Sequence, residues 1–131
     1  MGLANVTEVA LCRLDDIPAE RAIGRDVAVN GRRIPLIVLR SAGAILAYLN
    51  SCPHVGVRLE WRPDDFLDRA GERLQCSTHG ALFEKTSGEC VAGPCRGAFL
   101  VRIATRVDPD GTVWALDPER LPGSARPAGR D

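Results

Sequence analysis

The sequence predicts an all-β domain, an antiparallel sandwich or small barrel, and three observations carry that prediction. Short stretches of alternating or apolar residues recur from Val6 to Leu116. Turn signals rich in Gly, Pro, Asn and Asp separate them. Helical periodicity is weak throughout. Seven or eight short strands with frequent turns suit two or three packed sheets better than any helical layer.

Val6 to Leu14 reads as a first strand, broken by Asp15-Asp16-Ile17-Pro18. Arg25 to Val29 and Ile34 to Arg40 form a hairpin across Asn30-Gly31, two residues that tolerate positive φ. Pro35 lacks an N–H, which predicts an edge or a strand start there. Ala44 to Leu49 follows a turn at Ser41-Ala42-Gly43. The stretch from Asn50 to Asp68 holds Pro53, Gly56 and Pro63 and reads as loop, with at most a helical turn around Asp64 to Asp68. Arg73 to Cys76 and Ala81 to Lys85 flank a loop at Ser77 to Gly80. Thr86 to Glu89 turns, Gly93-Pro94 opens a further loop, and Ala98 to Val107 pairs with Thr112 to Leu116 across Asp108-Pro109-Asp110-Gly111. The chain thus reads as one domain over residues 1–116. Residues 117–131, rich in Pro, Gly, Arg and Ala, have the composition of a disordered tail.

Composition narrows the functions. Seventeen basic and 17 acidic side chains leave no net charge, so nothing favours a nucleic acid or an anionic membrane surface. No apolar run approaches the roughly 20 residues that span a bilayer. Met1 to Arg13 has neither a basic leader nor a long apolar stretch. A cytoplasmic protein is expected, with its five cysteines reduced and serving as ligands or core residues. The only histidines are His54 and His79. If one site uses both, none remains for a second metal centre or for general-base work.

The chemistry sits in two segments, Cys52-Pro53-His54 and Cys76-Ser77-Thr78-His79-Gly80. Each pairs a thiolate with an imidazole, and both fall between strands, where rigid ends can fix ligands in space. Two cysteines and two histidines suit tetrahedral zinc. They equally suit a 2Fe–2S centre with thiolates on one iron and imidazoles on the other. Zinc fingers usually draw both cysteines from one motif and both histidines from the other. Here each loop mixes them, as suits a cluster gripped between two loops.

Cys-x-His followed by Cys-x-x-His-Gly resembles the Rieske box. Asn50 to Val57 resembles the first cluster loop of that family, and Cys76 to Phe83 with Gly88 resembles the second. Gly93-Pro94 stands where the family has its proline loop, and the resemblance runs from residue 6 to residue 116. It implies a Rieske-type antiparallel β-sandwich of three sheets with both cluster loops at one tip. It also implies one 2Fe–2S cluster per chain, with Cys52 and Cys76 on one iron and His54 and His79 on the other.

Respiratory and photosynthetic members are less similar. They carry a further cysteine in each loop, where this chain has Val57 and Thr78. They also place hydroxyl donors to sulfur at the positions of Ala81 and Phe83. Fewer such donors mean a lower reduction potential. The pattern resembles the family's ferredoxins and oxygenase domains. A whole oxygenase would need two further histidines for its mononuclear iron. The resemblance therefore implies a one-electron carrier between a reductase and a terminal oxygenase or other redox enzyme, itself more an electron-transfer protein than an enzyme. The alternative is a redox or regulatory subunit like the small subunit of nitrite reductase. The partner would dock at the tip, over Pro53, Val55, Ala81, Leu82 and Pro94.

The other conspicuous residues read as structure. Cys12 suits a strand as a small hydrophobe. Cys90 and Cys95 read as packing thiols ahead of a redox pair. Trp61, Phe99 and Trp114 suit packing. Asp64, Asp65 and Asp68 suit a solvated loop, and Asp15 and Asp16 suit a turn.

Overall fold

A computed structural model of the chain describes residues 7–53, 56–60 and 62–119. His54, Val55, Trp61, Val6 and most of the proposed tail lie outside the described residues. Among the described residues nine strands follow in chain order: β1 (Glu8–Arg13), β2 (Ala22–Val29), β3 (Arg32–Ser41), β4 (Ala44–Leu49), β5 (Arg73–Gln75), β6 (Leu82–Glu84), β7 (Cys90–Ala92), β8 (Arg102–Val107) and β9 (Thr112–Leu116). The single helical element among the described residues is the 3-10 turn Leu14–Asp16. All paired strands are antiparallel. Six strands form one sheet in the order β1-β9-β8-β4-β3-β2, and β5-β6-β7 form a second. The expected all-β, antiparallel architecture is what the chain adopts, with two sheets among the described residues where three were expected.

Local chemistry sets the turns. Asn30 and Gly31 take φ of 51° and 80°, the left-handed pair that a two-residue hairpin demands. Pro35 departs from expectation, because it sits inside β3, paired with Asp26 of β2. Its carbonyl accepts the Asn50 N–H at 2.9 Å, so its ring nitrogen also faces the β4 side. The β3–β4 ladder begins only at Leu36, so the proline costs just the one terminal bond that an N–H would have returned to Asn50. β7 was not expected. Three residues between glycine-bearing turns carry too short a pattern to stand out from loop.

β3 and β4 form the wall that places the site, because both bury residues on alternate faces. Ile34, Leu36 and Val38 with Ala47 face one core, which Val27, Ile103, Val113 and Ala115 complete. Ile37, Leu39, Leu46 and Tyr48 face a second core against Phe66, Leu74 and Phe83. Cys52 and Cys76 belong to that second core. The Tyr48 hydroxyl donates to the Lys85 carbonyl at 2.9 Å and ties the wall to the small sheet.

Contacts with the first strand continue past residue 116. Asp117 N–H donates to the Thr7 carbonyl at 2.7 Å, Thr7 N–H donates back to Asp117 Oδ1 at 2.8 Å, and Pro118 is buried. Local composition gave no sign of this, since the partner is at the opposite end of the chain.

Candidate metal centre

The two cysteine loops are built alike. Cys52 N–H donates to the Val57 carbonyl at 2.8 Å, and Gly56 N–H donates back to the Cys52 carbonyl at 2.7 Å. Cys76 N–H donates to the Ala81 carbonyl at 2.9 Å, and Gly80 N–H donates to the Cys76 carbonyl at 2.8 Å. In each loop the residue four past the cysteine is a glycine at positive φ, 78° at Gly56 and 73° at Gly80. A side chain there would strain the turn that presents the sulfur. Matched loops of this kind offer two thiols in equivalent surroundings.

The loops are joined through Leu59. Its N–H donates to the side-chain oxygen of Asn50 at 2.8 Å, and its carbonyl accepts the Ser77 N–H at 2.8 Å. Asn50, only 2% exposed, also donates from Nδ2 to Glu60 at 2.8 Å. Asn50 and Leu59 therefore fix one loop against the other. Long-range hydrogen bonds of this sort carry no mark in local sequence. On the far side of the first loop, Asp64 accepts the Gly24 N–H at 2.7 Å. It braces that loop against β2.

The donors differ in depth. Cys52 and Cys76 are 1% and 0% exposed, whereas His79 is exposed. His54 is outside the described residues. Among the described residues no three His, Cys, Asp or Glu side chains are grouped to hold one ion. A cluster taking two ligands per iron asks for none. Buried thiols at Cys52 and Cys76 and a surface imidazole at His79 are a donor set that would suit a 2Fe–2S group.

The loop after β7 closes over this core. Gly93, at φ 104°, lies so near the second cysteine loop that an added Cβ would stand 2.8 Å from Ala81 Cα. Ala81 is consequently 0% exposed and cannot line a docking face, which corrects that expectation. Pro94 is exposed and Pro53 and Leu82 are half-buried, so these remain at the surface. Cys95 lies beneath Pro94, buried, its Sγ 3.0 Å from Cys90 Sγ. Burial pushes the Cys95 thiol up to about 12, with the neighbouring Cys90 and Cys52 sulfurs adding to the effect. A thiol so placed keeps its proton beside Cys52. Cys12 is half-buried on β1, its thiol also pushed up by burial.

With this geometry in view, comparison with known proteins is informative. Residues 7–107 match the Rieske [2Fe-2S] domain, and the chain belongs to that family. The family binds a [2Fe-2S] cluster, and the residues here suit one. No curated protein sequence matches. Among solved structures, a chain from the complex of reduced oxygenase and oxidized ferredoxin in carbazole 1,9a-dioxygenase is similar. It has a TM-score of 0.65 and 23% identity, over 88% of this chain and 97% of that one. The ferredoxin of carbazole 1,9a-dioxygenase from Nocardioides aromaticivorans IC177 has a TM-score of 0.62 and 20% identity, over 83% and 96% of the two chains. The putative NADH-dependent nitrite reductase small subunit from Mycobacterium tuberculosis has a TM-score of 0.60 and 20% identity, over 89% and 97%. At such identities the likeness is one of fold.

Proposed function

We propose that the chain is a Rieske-type ferredoxin, a carrier that takes one electron from a reductase and passes it to a terminal oxygenase or another redox enzyme. Cys52, His54, Cys76 and His79 are the ligands in this reading. The observation that carries it is the pair of matched loops, with buried thiols at Cys52 and Cys76 and an exposed imidazole at His79. The bound cluster supplies a single reversible electron. The protein's part is to hold that group rigidly at a surface where a partner can approach. Pro53, Leu82 and Pro94 supply apolar surface there, as a weak and quickly released contact requires. The zero formal net charge predicts an on-rate that depends only mildly on salt.

Two of the similar structures are a ferredoxin and an oxygenase–ferredoxin complex, which supports this reading. The nitrite reductase small subunit supports the second one, a redox subunit held within an enzyme complex. No helix among the described residues is long and apolar enough to cross a membrane. The protein would work in the cytoplasm.

The test begins with the purified chain. A red-brown protein that bleaches with one electron per chain, then reoxidises on mixing with a Rieske oxygenase component, is expected. A colourless, zinc-loaded protein sinks the reading. A cluster that reduces but exchanges electrons only inside a stable complex points to the subunit.

A further inference from the structure

Cys90 and Cys95 have no place among the proposed ligands, yet the fold brings them together with some care. Cys90 N–H donates to the Ala98 carbonyl at 2.8 Å, and Gly97 N–H donates to the Cys90 carbonyl at 3.0 Å. Ala98 N–H donates to the Cys95 carbonyl at 2.8 Å. These bonds fold the segment after β7 back on itself and aim both thiols inward. The sulfurs stand 3.0 Å apart, with Cys90 0% and Cys95 8% exposed. A disulfide needs an S–S distance of about 2.05 Å. The remaining approach of roughly 1 Å is within what small side-chain rotations supply. Gly93 and Gly97, at φ 104° and 92°, supply the left-handed turns of this segment. Pro94, Arg96 and Gly97 are exposed, so the outer side of the loop is open to a small reagent.

We propose that Cys90 and Cys95 are a modification site, a dithiol that closes to a disulfide at the expense of a small-molecule disulfide such as oxidised glutathione. Cys95, the less buried of the two, attacks one sulfur of the oxidant through its small thiolate fraction, so burial makes closure slow without preventing it. The first glutathione leaves and takes up the Cys95 proton. Cys90 then attacks Cys95 Sγ, and the second glutathione leaves with the Cys90 proton. One S–S bond forms and one breaks. The two thiols lose two electrons, and the oxidant gains them. Closure staples the loop that covers Ala81 and lies beside Cys52, at the boundary of the proposed cluster.

The experiment uses the full cluster-loaded chain in glutathione buffers of rising oxidised fraction, quenched in acid, alkylated and digested with trypsin. Cleavage after Lys85 and Arg96 leaves both thiols in one peptide. That peptide should become unalkylated and two hydrogens lighter, with the closed fraction following a two-electron curve. Cys90→Ser should halt at a glutathione adduct on Cys95, and Cys95→Ser should leave Cys90 reduced at the same ratios. A doubly alkylated wild-type peptide at every ratio overturns the proposal. So does a disulfide joining either thiol to Cys12, Cys52 or Cys76. The digest reads the pair whether the protein is coloured or colourless, so failure of the electron-carrier reading stays distinguishable.

Discussion

Substituting Gly93 by alanine should loosen the cover over the second cysteine loop, and the cost can be worked from two glycines of the same segment. Gly93 and Gly97 both have positive φ, 104° and 92°. Forcing an alanine into such a conformation costs about 1–3 kcal/mol in either place. The surroundings differ. A Cβ at Gly97 meets nothing within 4 Å, whereas one at Gly93 stands 2.8 Å from Ala81 Cα and 3.1 Å from Ala81 Cβ. Backbone cannot yield as a flexible side chain would, so the overlap adds about 1–3 kcal/mol. Gly97→Ala should thus cost about 1–3 kcal/mol and Gly93→Ala about 2–6 kcal/mol. At about 4 °C per kcal/mol, Gly93→Ala should melt roughly 4–12 °C below Gly97→Ala. The assay is thermal unfolding of the cluster-loaded variants at one scan rate, followed by circular dichroism and visible absorbance together. The colour of Gly93→Ala should also bleach faster at constant temperature, because its loop no longer seats on Ala81. Equal midpoints and equal bleaching rates in the two variants would refute the argument.

Other outcomes follow from the same geometry. His79→Ala should abolish the electron resonance of a histidine-ligated cluster, and a signal that survives unchanged means His79 is no ligand. The potential should fall near the low end of the roughly −150 to +300 mV Rieske range, and Ala81→Ser or Phe83→Tyr should raise it by adding a hydroxyl donor. A wild-type midpoint well above zero, read by redox titration, contradicts this. Asn50→Ala strips the buried Leu59 N–H of its acceptor and should cost about 1–3 kcal/mol in denaturant melts, with faster cluster loss. Replacing Cys90 and Cys95 together with Ser should leave iron content intact, since neither is a proposed ligand. Glu20 accepts the Ala42 N–H, then the Ser41 hydroxyl and the Lys85 ammonium, and these hold its carboxyl below its usual value of 4.5. Its contribution to stability is full above that value and is lost as pH falls through the depressed one. Wild type and Glu20→Gln should therefore converge in Tm on acidification.

The sequence by itself determined the class of the fold and the proposed ligands, because both are written in local pattern. Alternation and turn residues marked Ala44–Leu49 and Thr112–Leu116 to the residue, and Asn30-Gly31 specified its own hairpin. Cys52, His54, Cys76 and His79 stood out by type and spacing alone, because metal chemistry admits few side chains. The tertiary structure decided whatever depends on residues distant in the chain. Pro35 is tolerated in an interior strand because of where β4 stops. Thr7 holds Asp117 across the whole length of the domain. Buried Lys85 finds the Glu20 carbonyl at 2.8 Å, 65 residues away. Ala81 is hidden because Gly93 lies on it, and Leu59 joins two cysteine loops that nothing in their spelling connects. Propensity and periodicity act over a few neighbours, whereas close packing and hydrogen-bond satisfaction act across any sequence distance. The proposed ligands are therefore legible in one dimension, and the cover over Ala81 in the second cysteine loop only in three.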